Sequence, residues 1–186
     1  MTFETERLLL RPFTWEDRDV VLAISSDPET TKYLYFWGRI GTTPESDAKR
    51  FLDYATSTAW EYCLLKKDTG EKIGDGSVER LDEHTAEVGW ILLPAYRHQG
   101  YVTEMARRLT RYAFEEWGVE KVIAHCDARN IPSQSVMKRL GMRLEEIEKE
   151  SRPAKAPGEK NGDEYTYAIT KAEWQRQQTE KNVSEG

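Results

Sequence analysis

From Pro94 to Phe114 the chain reads PAYRHQGYVTEMARRLTRYAF, a basic turn with one glycine set between an apolar strand and an amphipathic helix. The strand is EVGWILL, Glu87 to Leu93, and Pro94 stops it by withdrawing a backbone donor. Val102, Met105, Ala106, Leu109, Ala113 and Trp117 recur at the helical period and mark the helix. The first amides of a helix have no internal partners, and the helix dipole favours negative charge beside them. A strand, a glycine turn and a helix start can therefore hold an anion. The same three parts also make an ordinary strand-to-helix connection, and this stretch alone leaves both readings open.

Other chemistry-bearing residues are sparse. The two cysteines, Cys63 and Cys126, do not form a disulfide framework and fit a reducing cytosol, most simply as small apolar residues on strands. No Cys/His cluster has ligand spacing, so no metal site is expected. The net charge of −6 argues against general nucleic-acid binding and suits a cationic substrate. Glutamates offset Arg107, Arg108 and Arg111 on the helix after the turn, so that helix offers no clustered basic face. No apolar run reaches the length of a membrane span, and MTFETERLLLRPF lacks a signal-peptide pattern, so a cytoplasmic protein is expected.

The elements that would position the turn follow from pattern. ERLLLRPF reads as a first strand, and Thr14 with Asp17 three positions on caps a helix through WEDRDVVLAIS. After Pro28 come a short helical piece and an aromatic run, Tyr33, Tyr35, Phe36 and Trp37; Thr43-Pro44 then starts a second helix. WEYCLLKK, KIGDGSVERL and AEVGWILL form a meander joined by turns at Asp68-Thr69-Gly70 and Asp82-Glu83-His84. KVIAHCDA is a nearly continuous apolar strand, and Asn130 to Leu140 a shorter helix closed by Gly141. MRLEEIEKE alternates like a half-exposed strand, Ser151 to Asp163 reads as a mobile loop, and EYTYAIT and KAEWQRQQ are the last strand and helix. The order predicts an α/β fold with a mixed, mostly antiparallel sheet of about seven strands flanked by helices. Residues 1–178 form one domain in this reading and 179–186 a flexible tail.

With its parts in this order, the chain resembles the GNAT superfamily of acetyl-CoA-dependent N-acetyltransferases, and within it the branch that acetylates ribosomal-protein N-termini. TERLLLRPF resembles the branch's opening strand and DPETTKYL the turn after it. AEVGWILLPAYRHQGYVTEM resembles the acetyl-CoA strand and signature loop. NIPSQSVMKRLGM resembles the Asn-x-x-Ser helix ending in Lys/Arg-x-Gly, and YAITKAEW the closing strand and helix. The likeness runs from about residue 3 to about residue 175, nearly the whole chain.

The resemblance implies that Arg97-His98-Gln99-Gly100-Tyr101-Val102 wraps the pyrophosphate of coenzyme A, with Thr103 beside it. Gly100 lets the backbone approach phosphate without a Cβ, amides from His98 to Val102 converge as a nest, and Arg97 or Gln99 adds a side-chain donor. Valine at 102 and histidine at 98 depart from the usual small residues; His98 reads as a solvated loop residue. Trp90, Ile91 and Leu92 would pair through their backbones with the pantetheine arm and the acetyl oxygen.

Acetyl transfer requires a deprotonated amine, a held carbonyl, a donor for the developing oxyanion and a stabilised thiolate. The resemblance makes Glu87 the first candidate for the base and Glu79 its rival; Asp75, His84 and His125 are further candidates. Met137 stands where many members have the tyrosine that donates a proton, and a thioether cannot donate. Ser133 then becomes the candidate acid, or no acid is needed. Asn130 fixes the pantetheine amide or caps its helix. The implied acceptor cleft lies between Tyr33–Gly41 and Ser151–Asp163, with Glu145, Glu146, Glu148 and Glu150 as either a basic-acceptor wall or a solvated face. The expected activity is direct acetyl transfer to a primary amine, a protein N-terminus or a small molecule, by a monomer or homodimer. A non-catalytic acetyl-CoA-binding or regulatory protein of the same fold is the alternative.

Overall fold

In the strand Leu8–Pro12, Leu8 and Leu10 are fully buried between more accessible neighbours, the alternation that pairs one face of a sheet with a core. The computed structural model describes residues 1–34, 36–39 and 41–184, with side chains up to residue 180. Tyr35 of the aromatic run, Ile40 of the expected cleft and the end of the expected tail lie outside the described residues.

The strands are β1 Phe3–Glu4, β2 Leu8–Pro12, β3 Glu61–Lys66, β4 Lys72–Arg80, β5 Thr85–Leu92, β6 Lys121–Asp127, β7 Arg143–Arg152 and β8 Gly162–Thr170. The helices are α1 Arg18–Ser26, α2 Pro28–Thr31, α3 Pro44–Ala55, α4 Tyr101–Glu115, α5 Ile131–Arg139 and α6 Lys171–Ser184. All eight strands join one sheet in the order β1-β2-β3-β4-β5-β6-β8-β7, the two-residue β1 being the addition to the expected seven. Only β5 and β6 run parallel among the paired strands, so the sheet is mixed and mostly antiparallel.

The core forms two layers. On one face α4 buries Met105, Leu109, Ala113 and Phe114 against Val78, Val88 and Val122. On the other, α1 and α3 bury Val21, Ile24, Ala48 and Leu52 around Cys63 and Phe13. Thr14 and Asp17 form the expected capping box, though a 3-10 turn, Trp15–Asp17, precedes α1. Thr43 caps α3 with Pro44 in its first turn.

β4 and β5 approach so closely that a Cβ on Gly74 would lie 2.1 Å from the Ile91 carbonyl oxygen. Backbone cannot yield there as a side-chain end can. Gly74→Ala is therefore expected to lower stability by about 3 kcal/mol, readable as a fall in the urea midpoint with the slope unchanged.

Three sequence expectations shift. β7 is exposed from Arg143 to Ser151, with Leu144 and Ile147 also exposed, because it is the outermost strand; alternation marks burial only where a layer covers one face. The Ser151–Asp163 loop is shorter than read, since β7 runs to Arg152 and β8 starts at Gly162. It is also tied down: the Lys155 ammonium donates to the carbonyls of Thr31 and Trp37, as a partly buried cation must find acceptors. Finally, α6 continues past Gln178 to Ser184, since no Gly or Pro interrupts the segment after Lys171.

Candidate active site

The sheet forks. β5 and β6 pair at Thr85↔Lys121, Ala86↔Val122 and Glu87↔Ile123, and there their pairing ends. β5 continues beside β4 to Leu92, while β6 continues beside β8 to Asp127. From Val88 to Leu92, therefore, β5 has a neighbour on one side and an open edge on the other. Trp90, Ile91 and Leu92 lie along that edge, where an extended chain can enter as a strand would.

Glu87 sits at the apex. Its carboxylate is 3.9 Å from His125 Nε2, and His125 Nδ1 lies 2.9 Å from the Thr166 hydroxyl and 3.4 Å from Glu164. Glu164 in turn pairs with the buried Arg152. Burial pushes the Glu87 carboxyl above its ordinary range; His125 and Arg152 oppose the rise, while Glu79 and Glu164 add to it. A carboxyl so placed holds a proton more readily than a solvated one and is better matched to taking one near neutral pH. Glu79, the rival, stands directly across from Glu87 on β4. Sequence spacing did not bring His125 to Glu87, because their meeting depends on which strands become neighbours. His84 lies apart, exposed in the β4–β5 turn beside Glu83 and Glu120.

The loop after β5 has the conformation of an anion nest. His98 and Gly100 both take left-handed backbone, φ 62° and 83°, and α4 starts at Tyr101 with Gly100 as its cap. Such alternation turns successive amides to one side. Arg97 reaches away from that concavity: Nε donates to the Leu92 carbonyl at 3.2 Å and an Nη to the Thr30 hydroxyl at 2.6 Å, joining the loop to the strand end and α2. Gln99 donates to the Ala95 carbonyl at 3.2 Å. The side chain beside the loop is Arg7, which donates to the Gln99 carbonyl at 3.0 Å, stacks over Tyr101 at 4.5 Å and pairs with Glu104 at 2.7 Å. Nothing in the local pattern around Arg7 pointed there. Val102 is half-buried against the core, and the buried Thr103 receives Arg139 on its hydroxyl at 3.3 Å.

Asn130 caps α5, its Oδ1 accepting from the Ser133 amide at 3.2 Å. The Ser133 hydroxyl makes no hydrogen bond among the described residues and is half-buried in the first helical turn. Met137, by contrast, is wholly buried in the core, where it packs rather than reacts. Burial raises the thiol of Cys63 to about 12 and that of Cys126 to about 11, so neither is a thiolate near neutral pH.

A pocket of about 330 Å³ opens between the segment after α2 and the β7–β8 loop, walled by Thr31, Tyr33, Gly38, Arg129, Arg152 and Lys155. The aromatic run divides around it. Tyr33 lines the pocket, whereas Trp37 is buried and Phe36 packs on Phe51.

A sheet forked beside an anion-ready loop, with a carboxylate at the fork, is the layout of an acyl-CoA-dependent acyltransferase. The family model described as Acetyltransferase (GNAT) domain matches residues 7–143, and the chain belongs to that family. The Bacillus subtilis (strain 168) protein named Uncharacterized N-acetyltransferase YnaD is 36% identical over 176 residues, covering 94% of this chain and 99% of the relative. The FsC-acetyl coenzyme A-N(2)-transacetylase of Aspergillus fumigatus is 31% identical over 188 residues, covering 95% of this chain and 79% of its own. The crystal structure of a GNAT-family acetyltransferase from Bacillus anthracis superposes with a TM-score of 0.79 at 32% identity, covering 91% of this chain and 98% of that one. The protein is an acetyl-CoA-dependent acyltransferase, with acetyl-CoA as co-substrate. No helix among the described residues is long and apolar enough to cross a membrane.

Proposed function

We propose that the enzyme acetylates a primary amine by direct attack, with Glu87 receiving the amine proton. The observation that carries this is the end of β5–β6 pairing at Glu87, which puts a carboxylate with a raised proton affinity at the apex of the open edge. The nest at His98–Gly100 and the start of α4 suit the pyrophosphate, and the free edge at Trp90–Leu92 suits the pantetheine arm. Acetyl-CoA supplies a thioester carbonyl; the amine nitrogen bonds to its carbon, the C–S bond breaks and coenzyme A leaves as thiolate. Glu87, acting directly or through one water, takes the proton that the nitrogen must lose, and His125, Thr166 and Glu164 set its orientation. The free hydroxyl of Ser133 is the group assigned to the departing thiolate, with Asn130 holding the turn that presents it. Raised thiol pKa values at both cysteines support direct transfer over an acetyl-cysteine intermediate.

The acceptor enters between Tyr33 and the β7–β8 loop, through the pocket beside Arg152. Release of free coenzyme A is the test, with acetyl-CoA offered against N-terminal peptides, polyamines and aminoglycosides. Turnover on one acceptor class is the expected result; acetyl-CoA binding without thiol release across all three classes would overturn the assignment.

A further inference from the structure

The face of the sheet beneath α1 and α3 carries more negative charge than transfer of one proton requires. Register places Asp75, Ser77 and Glu79 of β4 on the same side as Glu87 of β5, and Glu61 of β3 opposite Ser77. Asp75 is only 4% exposed and has no hydrogen-bond donor or counter-ion among the described residues. Arg11, opposite Cys63 in the sheet, and Lys72 of β4 are already engaged: two Arg11 nitrogens bond Asp17 at 2.7 Å, and Lys72 reaches Asp17 and Asp19. Burial alone pushes Asp75 up to about 7, and burial together with Asp75, Glu79 and Glu87 holds Glu61 well above its ordinary range. Glu61, Glu79 and Asp75, which have no ion pair among the described residues, are destabilising as they stand, and a ligand cation seated among them relieves that.

We propose that Glu61, Glu79 and the buried Asp75 form a subsite for a second ammonium group of the acceptor, which makes the substrate a linear diamine or polyamine. This deepens the proposed function and rests on its placement of the reacting amine at Glu87. β4 lies one strand spacing from β5 and β3 two, so the second cation sits about 5–10 Å from the reacting nitrogen, the reach of a short alkyl chain between two amines. The first amine meets Glu87; the second lies over the Glu61–Glu79 pair with Asp75 behind it.

The test compares kcat/KM for putrescine, cadaverine and spermidine with that for butylamine and pentylamine, in the native enzyme, Glu61→Gln and Asp75→Asn. The diamines and spermidine are expected to lead by about tenfold or more. Both variants should lose that lead, and Glu61→Gln should leave monoamine turnover unchanged. Equal use of monoamines and diamines, or a lead that survives both substitutions, would overturn the subsite while leaving the acetyltransferase reading intact. Absence of thiol release with every amine removes that reading instead, and calorimetric titration of spermidine then decides the subsite. Binding weakened in Glu61→Gln retains it; no binding to the native protein ends it.

Discussion

Replacing Glu87 with glutamine is expected to lower kcat about a hundredfold or more, the usual contribution of a positioned general base. Glutamine keeps the shape of the side chain and removes one of two like charges facing each other across β4 and β5, so folding is not weakened. Loss of activity in this variant is therefore a loss of chemistry. The pH profile carries the stronger evidence. The Glu87 carboxyl is held above its ordinary range by burial and by Glu79 and Glu164, against His125 and Arg152. Native kcat should fall as pH drops through that raised value, because the protonated carboxyl cannot accept a proton. The limb belongs to the coupled carboxylates together, and Glu87→Gln should abolish it while KM for acetyl-CoA stays near native. An unaltered limb in the variant would move the role to Glu79.

Asp75→Asn should stabilise the protein, and only above mildly acidic pH. In the unfolded chain this carboxyl titrates near 3.8; in the folded protein burial raises it to about 7. Below the unfolded value both states are protonated and the group has no effect. As pH rises through the window between the two, the unfolded chain gives up its proton first, and stability falls until the folded carboxyl has also titrated. Above the window the native protein carries the whole cost, on the order of 2–4 kcal/mol. Asparagine has no such titration. The variant should melt about 5–15 °C above native near pH 8, and at nearly the same temperature near pH 4. A difference in melting temperature that does not change with pH would place the cost elsewhere.

Much of the fold is local and was legible in the chain. Thr14 with Asp17 and Thr43 with Pro44 mark helix starts through groups a few residues apart. Pro94 and Gly100 bracket the loop between β5 and α4, and the helical period runs through Met105 and Leu109. Asn130 caps α5 through a contact three residues long. Alternation along the edge strand β7 predicts half exposure, whereas the strand is exposed from Arg143 to Ser151, because alternation describes a strand without saying what lies over it.

By itself, the sequence determined the elements, the nest-forming turn ending in Gly100 and the carboxylate on β5, since dihedral preference, capping and periodicity act over neighbouring residues. The tertiary structure alone decided that β6 joins β5 in parallel and parts from it at Glu87. It alone decided that His125 stands 3.9 Å from that carboxylate, that Arg7 reaches the loop from the turn between β1 and β2, and that Asp75 is buried beside Glu61 with no partner among the described residues. Those arrangements depend on which strands become neighbours, and strand pairing is settled by burying the two faces of the whole sheet at once.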